Sequence, residues 1–514
     1  MNENFVTRAT ASALIALILI VSPLCAAEGA GPAGPGATPL WILDGDLTVS
    51  ARELLAALRH VEDFGLDPHD FAGSLEAIDL ATGNHAAARI DELLSGASRQ
   101  LIRQLHYGRV DPHAAGYELN RQRAPLDLDA ALQRLAVSAR PLELLASFEP
   151  QSAQYRALEQ ALARYRLIRT DLTTLPVPRS RAIKAGDSYA GAEKLRWLLA
   201  ELGDGPAPRA GAFDESIYDA ELASAVAHFQ RRHGLEADGS IGSRTFAALT
   251  VPIARRIRQI ELTLERWRWL PDIHPPAVIV NVPQFMLYAL PDRADPAAGA
   301  LKIPVIVGQS AKQTPIFDSS IESVVFRPYW DVPDSIVREE LLPLIAGDAD
   351  YLARHEMEIA RGAGNDAEVL AANSASIELL RAGRARLRQR PGAGNALGLI
   401  KFVLPNPYSV YLHSTPEEQL FGRDRRALSH GCIRVSDAAG LAAYLLKDTP
   451  GGWSREAIEA ATCGDRTFTV RLATPVPVFI LYGTVVIDTD GAALFFDDVY
   501  DYDRRLETLL AQLP

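Results

Sequence analysis

Leucines at helical spacing mark the first third of the chain. Leu54, Leu55 and Leu58 share one face, as do Leu94, Leu101 and Leu105, and then Leu132, Leu135, Leu142 and Leu145. The stretch from 49 to about 179 is therefore predicted helical. Pro176-Val177-Pro178 breaks that run. A compact unit follows from about 185 to 250, with helices carrying Leu195, Leu198 and Leu199, then Leu222, Val226 and Phe229. The turn residues Gly234, Asp238-Gly239 and Gly242 come next, before a short helix with Thr245 and Leu249. From Pro276 the period changes to that of strands. Residues 277–282 and 302–308 are β-branched runs bounded by turn residues, and further strands are expected at 321–326, 408–413, 468–472 and 476–488. A helical insertion at about 334–380 interrupts them. The pattern thus predicts a helical scaffold, a small helical module and a mostly-β domain with a helical cap set into it.

Near the end of the insertion Arg384, Arg386, Arg388 and Arg390 alternate with Ala385, Leu387 and Gln389. In an extended segment the four guanidiniums line one face. That face reads either as a solvated edge strand kept charged against aggregation or as a basic wall facing an anionic substrate.

The N-terminus reads as an export signal: Arg8, an apolar run over 11–21, and small residues at Cys25-Ala26-Ala27 for cleavage. The apolar run is too short for a membrane span, and no later segment approaches the roughly 20 apolar residues that a spanning helix needs. The expected organisation is a signal peptide at 1–27, a Gly/Pro-rich spacer at 28–40, a scaffold at 41–184, the small module at 185–250 and a helical linker at 251–275. The β-domain follows at 276–490, with its cap at about 334–390, and a helical tail at 491–514.

A length of 514 residues suits about three domains. The net charge of -12 argues against a nucleic-acid partner. Of the three cysteines, Cys25 leaves with the signal, and Cys432 and Cys463 are expected as free thiols, Cys463 as a core residue. His60, His69, His106 and His113 are scattered and suit surface or capping roles.

The densest chemistry lies in His413 and the run Ser429-His430-Gly431-Cys432-Ile433-Arg434. In the strand at 408–413, Tyr411 and His413 point to one side; if the second run is extended, His430, Cys432 and Arg434 share a face as well. A thiol with a pKa near 8.5 is only a few per cent ionised at neutral pH, and an adjacent imidazole would raise that fraction. The thiolate would attack a carbonyl, with backbone N–H groups at Gly431 and Cys432 holding the oxyanion. Arg434 can grip a carboxylate with two hydrogen bonds. Two histidines compete for the base, and the residues alone leave both open. A zinc site from His413, His430 and Cys432 is a further reading, without the usual ligand spacings.

Tyr411-Leu412-His413-Ser414-Thr415-Pro416, Leu420-Phe421, Arg426-Ala427 and Ser429-His430-Gly431-Cys432-Ile433-Arg434-Val435 together resemble the YkuD-type L,D-transpeptidase signature. Trp330-Asp331-Val332-Pro333, Arg390-Pro391-Gly392, Asn395-Ala396-Leu397-Gly398, Lys401-Phe402 and Pro405-Asn406 extend the likeness to the large periplasmic branch of that family. The module resembles a peptidoglycan-binding domain at Phe229-Gln230, His233-Gly234-Leu235, Asp238-Gly239, Ile241-Gly242 and Thr245.

The resemblance implies Cys432 as nucleophile, His413 as general base and Ser414 as the residue whose backbone carbonyl orients the imidazole. It implies His430 as a supporting neighbour, Arg434 as the substrate-carboxylate residue, and Tyr411 and Trp330 at the pocket border. The implied reaction releases D-alanine from a tetrapeptide stem through a thioester. The diaminopimelate amine of another stem then resolves it into a 3→3 cross-link, and carbapenems would acylate the same cysteine. L,D-carboxypeptidase action and attachment of a protein to peptidoglycan are the alternatives by the same thioester. A zinc-dependent peptidase and a non-catalytic wall-binding scaffold lie further off. No cofactor or metal is implied; the partners are peptidoglycan stem peptides and the synthases or carboxypeptidases that supply tetrapeptide. The implied location is the periplasm, against the cell wall, with no stable membrane span after cleavage.

Overall fold

The computed structural model describes residues 39–81, 86–178, 182–206, 216–290, 300–348 and 350–513. The expected signal peptide and most of the spacer lie outside the described residues. The leucine spacing of the N-terminal third is realised in α1 (Val49–Arg59), α2 (His69–Asp79), α3 (Ala86–Tyr107), α4 (Leu128–Ala136) and α5 (Pro141–Ala146). The side chains of Thr48 and Asp127 accept from first-turn N–H groups of α1 and α4, satisfying donors that a helix start leaves open. Leu54, Leu58, Leu101, Leu105, Leu132, Leu135 and Leu145 share one core, whereas Leu142 faces solvent. His60, His69 and His113 are largely exposed, but His106 is buried, its ring nitrogens 2.9 Å from Phe148 O and 3.0 Å from Ala124 O.

A second core joins α6 (Ala153–Arg166) to α7 (Ala192–Leu202), α8 (Ala220–Arg232), α9 (Ser243–Leu249) and α10 (Ile253–Arg268). The segment expected as a linker at 251–275 is helical, yet α10 is packed from several sides. Its Arg266 and Arg268 are buried, and Glu265 Oε1 accepts from the N–H groups of Arg109 (2.5 Å) and Val110 (2.9 Å). Apolar side chains of α10 contribute to the cores on either side of it.

The β-rich region is a closed barrel. Its strands, in chain order after the scaffold's β1 (Tyr117–Glu118), are β2 (Ala277–Asn281), β3 (Met286–Leu290), β4 (Leu301–Gly308) and β5 (Ile316–Phe326). The cap contributes β6 (Trp330–Asp331), β7 (Met357–Arg361), β8 (Glu368–Leu370) and β9 (Arg386–Gln389). The chain then returns with β10 (Ile400–Val403), β11 (Leu412–His413), β12 (Ala427–Ser429), β13 (Ile433–Val435) and β14 (Phe468–Leu481). The barrel order is β10-β11-β13-β4-β3-β2-β14-β5, and β5 pairs back to β10 to close it. Closure removes free sheet edges. Val278, Val305, Phe326, Phe402, Leu412 and Ile433 fill the interior with α12 (Ala438–Leu446) packed against them, and α13 (Arg455–Cys463) follows. Cys463 ends α13 exposed rather than in the core, and it and Cys432 are both free thiols.

The cap leaves and returns at a single point: Phe326 pairs with Ile400, and Arg327 N–H donates to Leu399 O at 2.8 Å. Helical turns across 334–347 and α11 (Ser374–Arg381) fulfil the helical expectation. The cap also holds a four-stranded sheet in the order β6-β9-β7-β8, which the helical reading of the insertion did not include. The alternating arginines of β9 therefore sit in an inner strand, not at an edge. Arg388 is buried with its Nε 2.6 Å from Glu358 Oε1, Arg386 pairs with Asp331 at 3.1 Å, and Arg384 and Arg390 reach solvent.

The C-terminal segment ties the parts together. The hairpin β15 (Val485–Ile487) and β16 (Ala493–Phe495) packs into the core of α6 and α8, and α14 (Tyr502–Leu510) brings Asp503 to Arg266 at 2.5 Å. Both partners are buried, and Asp503 also accepts from Thr484 Oγ1 at 2.8 Å. Removing one partner of a buried pair leaves an uncompensated charge. Asp503→Ala is expected to destabilise the fold by about 3–5 kcal/mol, read as a fall in the denaturant midpoint; an unchanged midpoint would show that the pair carries no stability.

Candidate active site

His413 closes the short strand β11, with Leu412 turned into the barrel and Tyr411 and His413 on the opposite face. The imidazole is 4 % exposed, and its Nδ1 lies 2.6 Å from Ser414 O. With Nδ1–H donating there, Nε2 is left unprotonated and able to accept a proton. Ser414 is itself pinned: its Oγ accepts from Leu399 N–H at 2.8 Å and Ile400 N–H at 3.0 Å, and its N–H donates to Ile400 O at 2.9 Å. Gly398 has φ +62°, and a Cβ there would fall 2.3 Å from Ser414 Oγ. The side chain of Ser414 thus helps aim the carbonyl that aims the base.

Cys432 precedes β13, which runs parallel to β11 with Leu412 opposite Ile433 and His413 opposite Arg434. Thiol and imidazole therefore come from adjacent strands and the same face. The thiol lies 3.8 Å from Ser409 O, and the Tyr411 hydroxyl donates to its sulfur. The Tyr411 hydroxyl is also hydrogen-bonded to Trp330 of the cap. The expected extended run from His430 to Arg434 is broken at Gly431, whose φ of +116° suits glycine. His430 consequently turns to the cap, where its Nε2 is 2.9 Å from Glu340 Oε1. Lys312 Nζ donates to the same oxygen at 2.8 Å.

The Gly431 N–H is not free for an oxyanion, because it donates to Ser429 Oγ at 3.1 Å. Ser429 Oγ donates in turn to Cys432 O at 2.5 Å, and Thr314 Oγ1 donates to Gly431 O at 2.8 Å. The turn is held rigidly, and the Cys432 N–H stands beside the sulfur without a partner among the described residues. Arg434 is engaged by Glu417.

Charge is disfavoured on both reacting groups. Burial pushes the Cys432 thiol up, against the Tyr411 hydrogen bonds and the nearby Lys401 and Arg434. Burial also pushes His413 down to about 3; the Ser414 carbonyl opposes that shift, and Arg434 and Lys401 add to it. Burial thus favours a neutral thiol and a neutral imidazole, in place of the thiolate that the sequence suggested. Among the described residues no cluster of three or more His, Cys, Asp or Glu could hold a metal, and no helix is long and apolar enough to cross a membrane.

Sequence reasoning named no role for Lys401, Ser429, Thr314, Glu340 or Glu417. Lys401 stood in a matched motif, and its position opposite His413 follows only from the strand register.

The L,D-transpeptidase catalytic domain family matches residues 275–476. The family described as "Putative peptidoglycan binding domain" matches 189–249, and the scaffold domain family matches 33–162. A Haemophilus influenzae protein named "Putative L,D-transpeptidase" is 32% identical over 250 residues, 48% of this chain and 49% of that protein. The match thus spans about half the length of each. The three family matches follow one another along the chain, the scaffold first, the peptidoglycan-binding type second and the L,D-transpeptidase catalytic type last.

Below pH 6.5 an unfolded imidazole takes up a proton that the folded His413 refuses until about pH 3. Folding stability from this residue is complete above pH 6.5 and declines as pH falls toward 3. Wild type is expected to lose more stability between these limits than His413→Asn, measured by denaturant unfolding. Equal losses would mean that His413 is not buried in its neutral form.

Proposed function

We propose that the L,D-transpeptidase catalytic domain of this chain transfers an acyl group of a peptidoglycan stem through a thioester on Cys432. The observation that carries this reading is the 2.6 Å bond from His413 Nδ1 to Ser414 O, which leaves Nε2 as a base on the face that holds the thiol. Substrate binding begins as a stem carboxylate displaces Glu417 from Arg434. Sγ then attacks the carbonyl of the L-centre of diaminopimelate while His413 Nε2 takes the thiol proton. The Cys432 N–H faces the developing oxyanion. Collapse breaks the C–N bond, His413 returns the proton to the leaving amine, and D-alanine departs. The side-chain amine of a second stem attacks the thioester, losing its proton to His413, and a 3→3 cross-link forms as the thiol is restored.

Trp330 and Tyr411 border this cleft from the cap and the barrel, and His430 supports the turn through Glu340. The chain would act in the periplasm on wall stems, supplied with tetrapeptide by synthases or carboxypeptidases, and the 189–249 module would hold it against peptidoglycan.

Incubation of purified protein with disaccharide-tetrapeptide, followed by mass spectrometry, tests the assignment. A dimer that has lost one D-alanine is expected, together with a carbapenem adduct on residue 432, and Cys432→Ala should abolish both. Tripeptide without dimer would reassign the enzyme as a carboxypeptidase; stem coupled only to a protein amine would make it a protein-attaching enzyme. Arg434→Ala should weaken stem use by about 10–100-fold, the value of a charged hydrogen bond of about 1.5–3 kcal/mol. Unchanged kinetics in that variant would remove Arg434 from substrate binding.

A further inference from the structure

Three barrel strands present one residue each at the same level. Lys401 on β10 is the register partner of His413 on β11, and His413 is that of Arg434 on β13. Two cationic residues therefore flank the base, one strand spacing of about 4.8 Å to either side. They are not in the same state. Arg434 is engaged by Glu417, whereas the Lys401 ammonium has no hydrogen-bond or ion-pair partner among the described residues. Asp331, the acid that acts on it electrostatically, is occupied by Arg386. The half-buried Lys401 places its Nζ 3.9 Å from the centroid of the Tyr411 ring, whose hydroxyl donates to the Cys432 sulfur.

The other ionisable groups around the sulfur are accounted for. His430 and Lys312 share Glu340, and His413 is neutral with Nδ1 fixed to Ser414 O. Tyr411 donates its hydroxyl proton. Among the described residues, Lys401 is then the cation near the Tyr411 ring that has no carboxylate of its own. Yet charge must develop there: when Sγ–H gives its proton to His413 Nε2, the electron pair stays on a half-buried sulfur.

We propose that Lys401 is a positioning residue for the nucleophile, its ammonium held on the Tyr411 ring to offset the negative charge forming on the Cys432 sulfur. The inference rests on the reading of Cys432 as nucleophile. Lys401 keeps its own proton throughout and exchanges none with substrate. A lysine that merely packs on the ring would contribute a cation–π contact to stability, without moving the titration of the sulfur.

The test is iodoacetamide alkylation of Cys432, followed by mass spectrometry across pH, in a Cys463→Ser background because Cys463 is exposed. Lys401→Met should move the alkylation midpoint up by about one pH unit, roughly tenfold slower at a fixed pH below it. Lys401→Arg, which keeps the charge, should restore most of that loss. Lys302→Met removes an equal charge that is paired to Asp488 at 3.0 Å, and should leave the profile as in wild type. A Lys401→Met profile superimposable on wild type overturns the role of the lysine alone. A wild-type Cys432 that alkylates at no pH overturns both this inference and the assignment of the nucleophile. Should Lys401→Met lose its cooperative thermal transition, Lys401→Gln carries the same comparison.

Discussion

A hydrogen bond of 2.6 Å from His413 Nδ1 to the Ser414 carbonyl sets the tautomer of the imidazole, and with it the one nitrogen that can act as a base. That bond depends on where the carbonyl points. Ser414 Oγ takes the N–H groups of Leu399 and Ile400, and Gly398 leaves the space that Oγ needs. The same few residues end the cap and begin β10. Asn395, fully buried, donates to Pro328 O at 3.2 Å and Arg390 O at 2.9 Å and accepts from Leu397 N–H at 2.8 Å. Return of the cap, closure of the barrel and aim of the base are thus one construction over 395–401.

Two carboxylates engage the basic side chains around the cleft. Glu417 engages Arg434, and Glu340, from the helical turns of the cap, receives both His430 and Lys312. A carboxylate arriving at Arg434 would gain only the difference between its own bonds and those of Glu417, so binding there would be an exchange rather than the filling of a bare charge. Glu340 works differently, because it links the cap to the turn that carries Cys432. Trp330, bonded to the Tyr411 hydroxyl, makes a second such link from the start of the cap sheet. Cap and turn therefore meet through polar contacts on both sides of the thiol.

The parts of this protein that the sequence displays are those with a local signal. The leucine spacing of α1, α3 and α4 and the β-branched runs of β2 and β4 reach the structure as read. Non-local features do not. Arg384 to Arg390 alternate like an edge strand, but β6 and β7 enclose β9 from both sides, and no property of its own residues records those neighbours. His430 follows the parity of an extended strand until the positive φ of Gly431 turns it away. The helix at 253–268 has the look of a connector because arginines recur along it; Asp503 and Tyr155, distant in sequence, are what allow those arginines to be buried. Closure of the barrel rests likewise on a pairing of β5 with β10 across the whole cap.

The neutral thiol and imidazole follow from a comparison of magnitudes. A fall in the His413 pKa from 6.5 to about 3 corresponds to about 5 kcal/mol against the imidazolium. Two opposite unit charges 4 Å apart recover about 4 kcal/mol at an effective dielectric near 20. The sulfur adds a further penalty, because burial raises its pKa as well. The two shifts point the same way, so a thiolate–imidazolium pair would have to offset both penalties, and burial favours the uncharged pair. In the proposed reaction charge separation would belong to the attack itself, the proton moving to Nε2 and the negative charge passing from sulfur to the oxyanion. Interactions that act at that moment count toward rate, whereas those already satisfied at rest do not. Neither the Cys432 N–H nor the Lys401 ammonium has a hydrogen-bond or ion-pair partner among the described residues, and in the proposed reaction both would face the new negative charge.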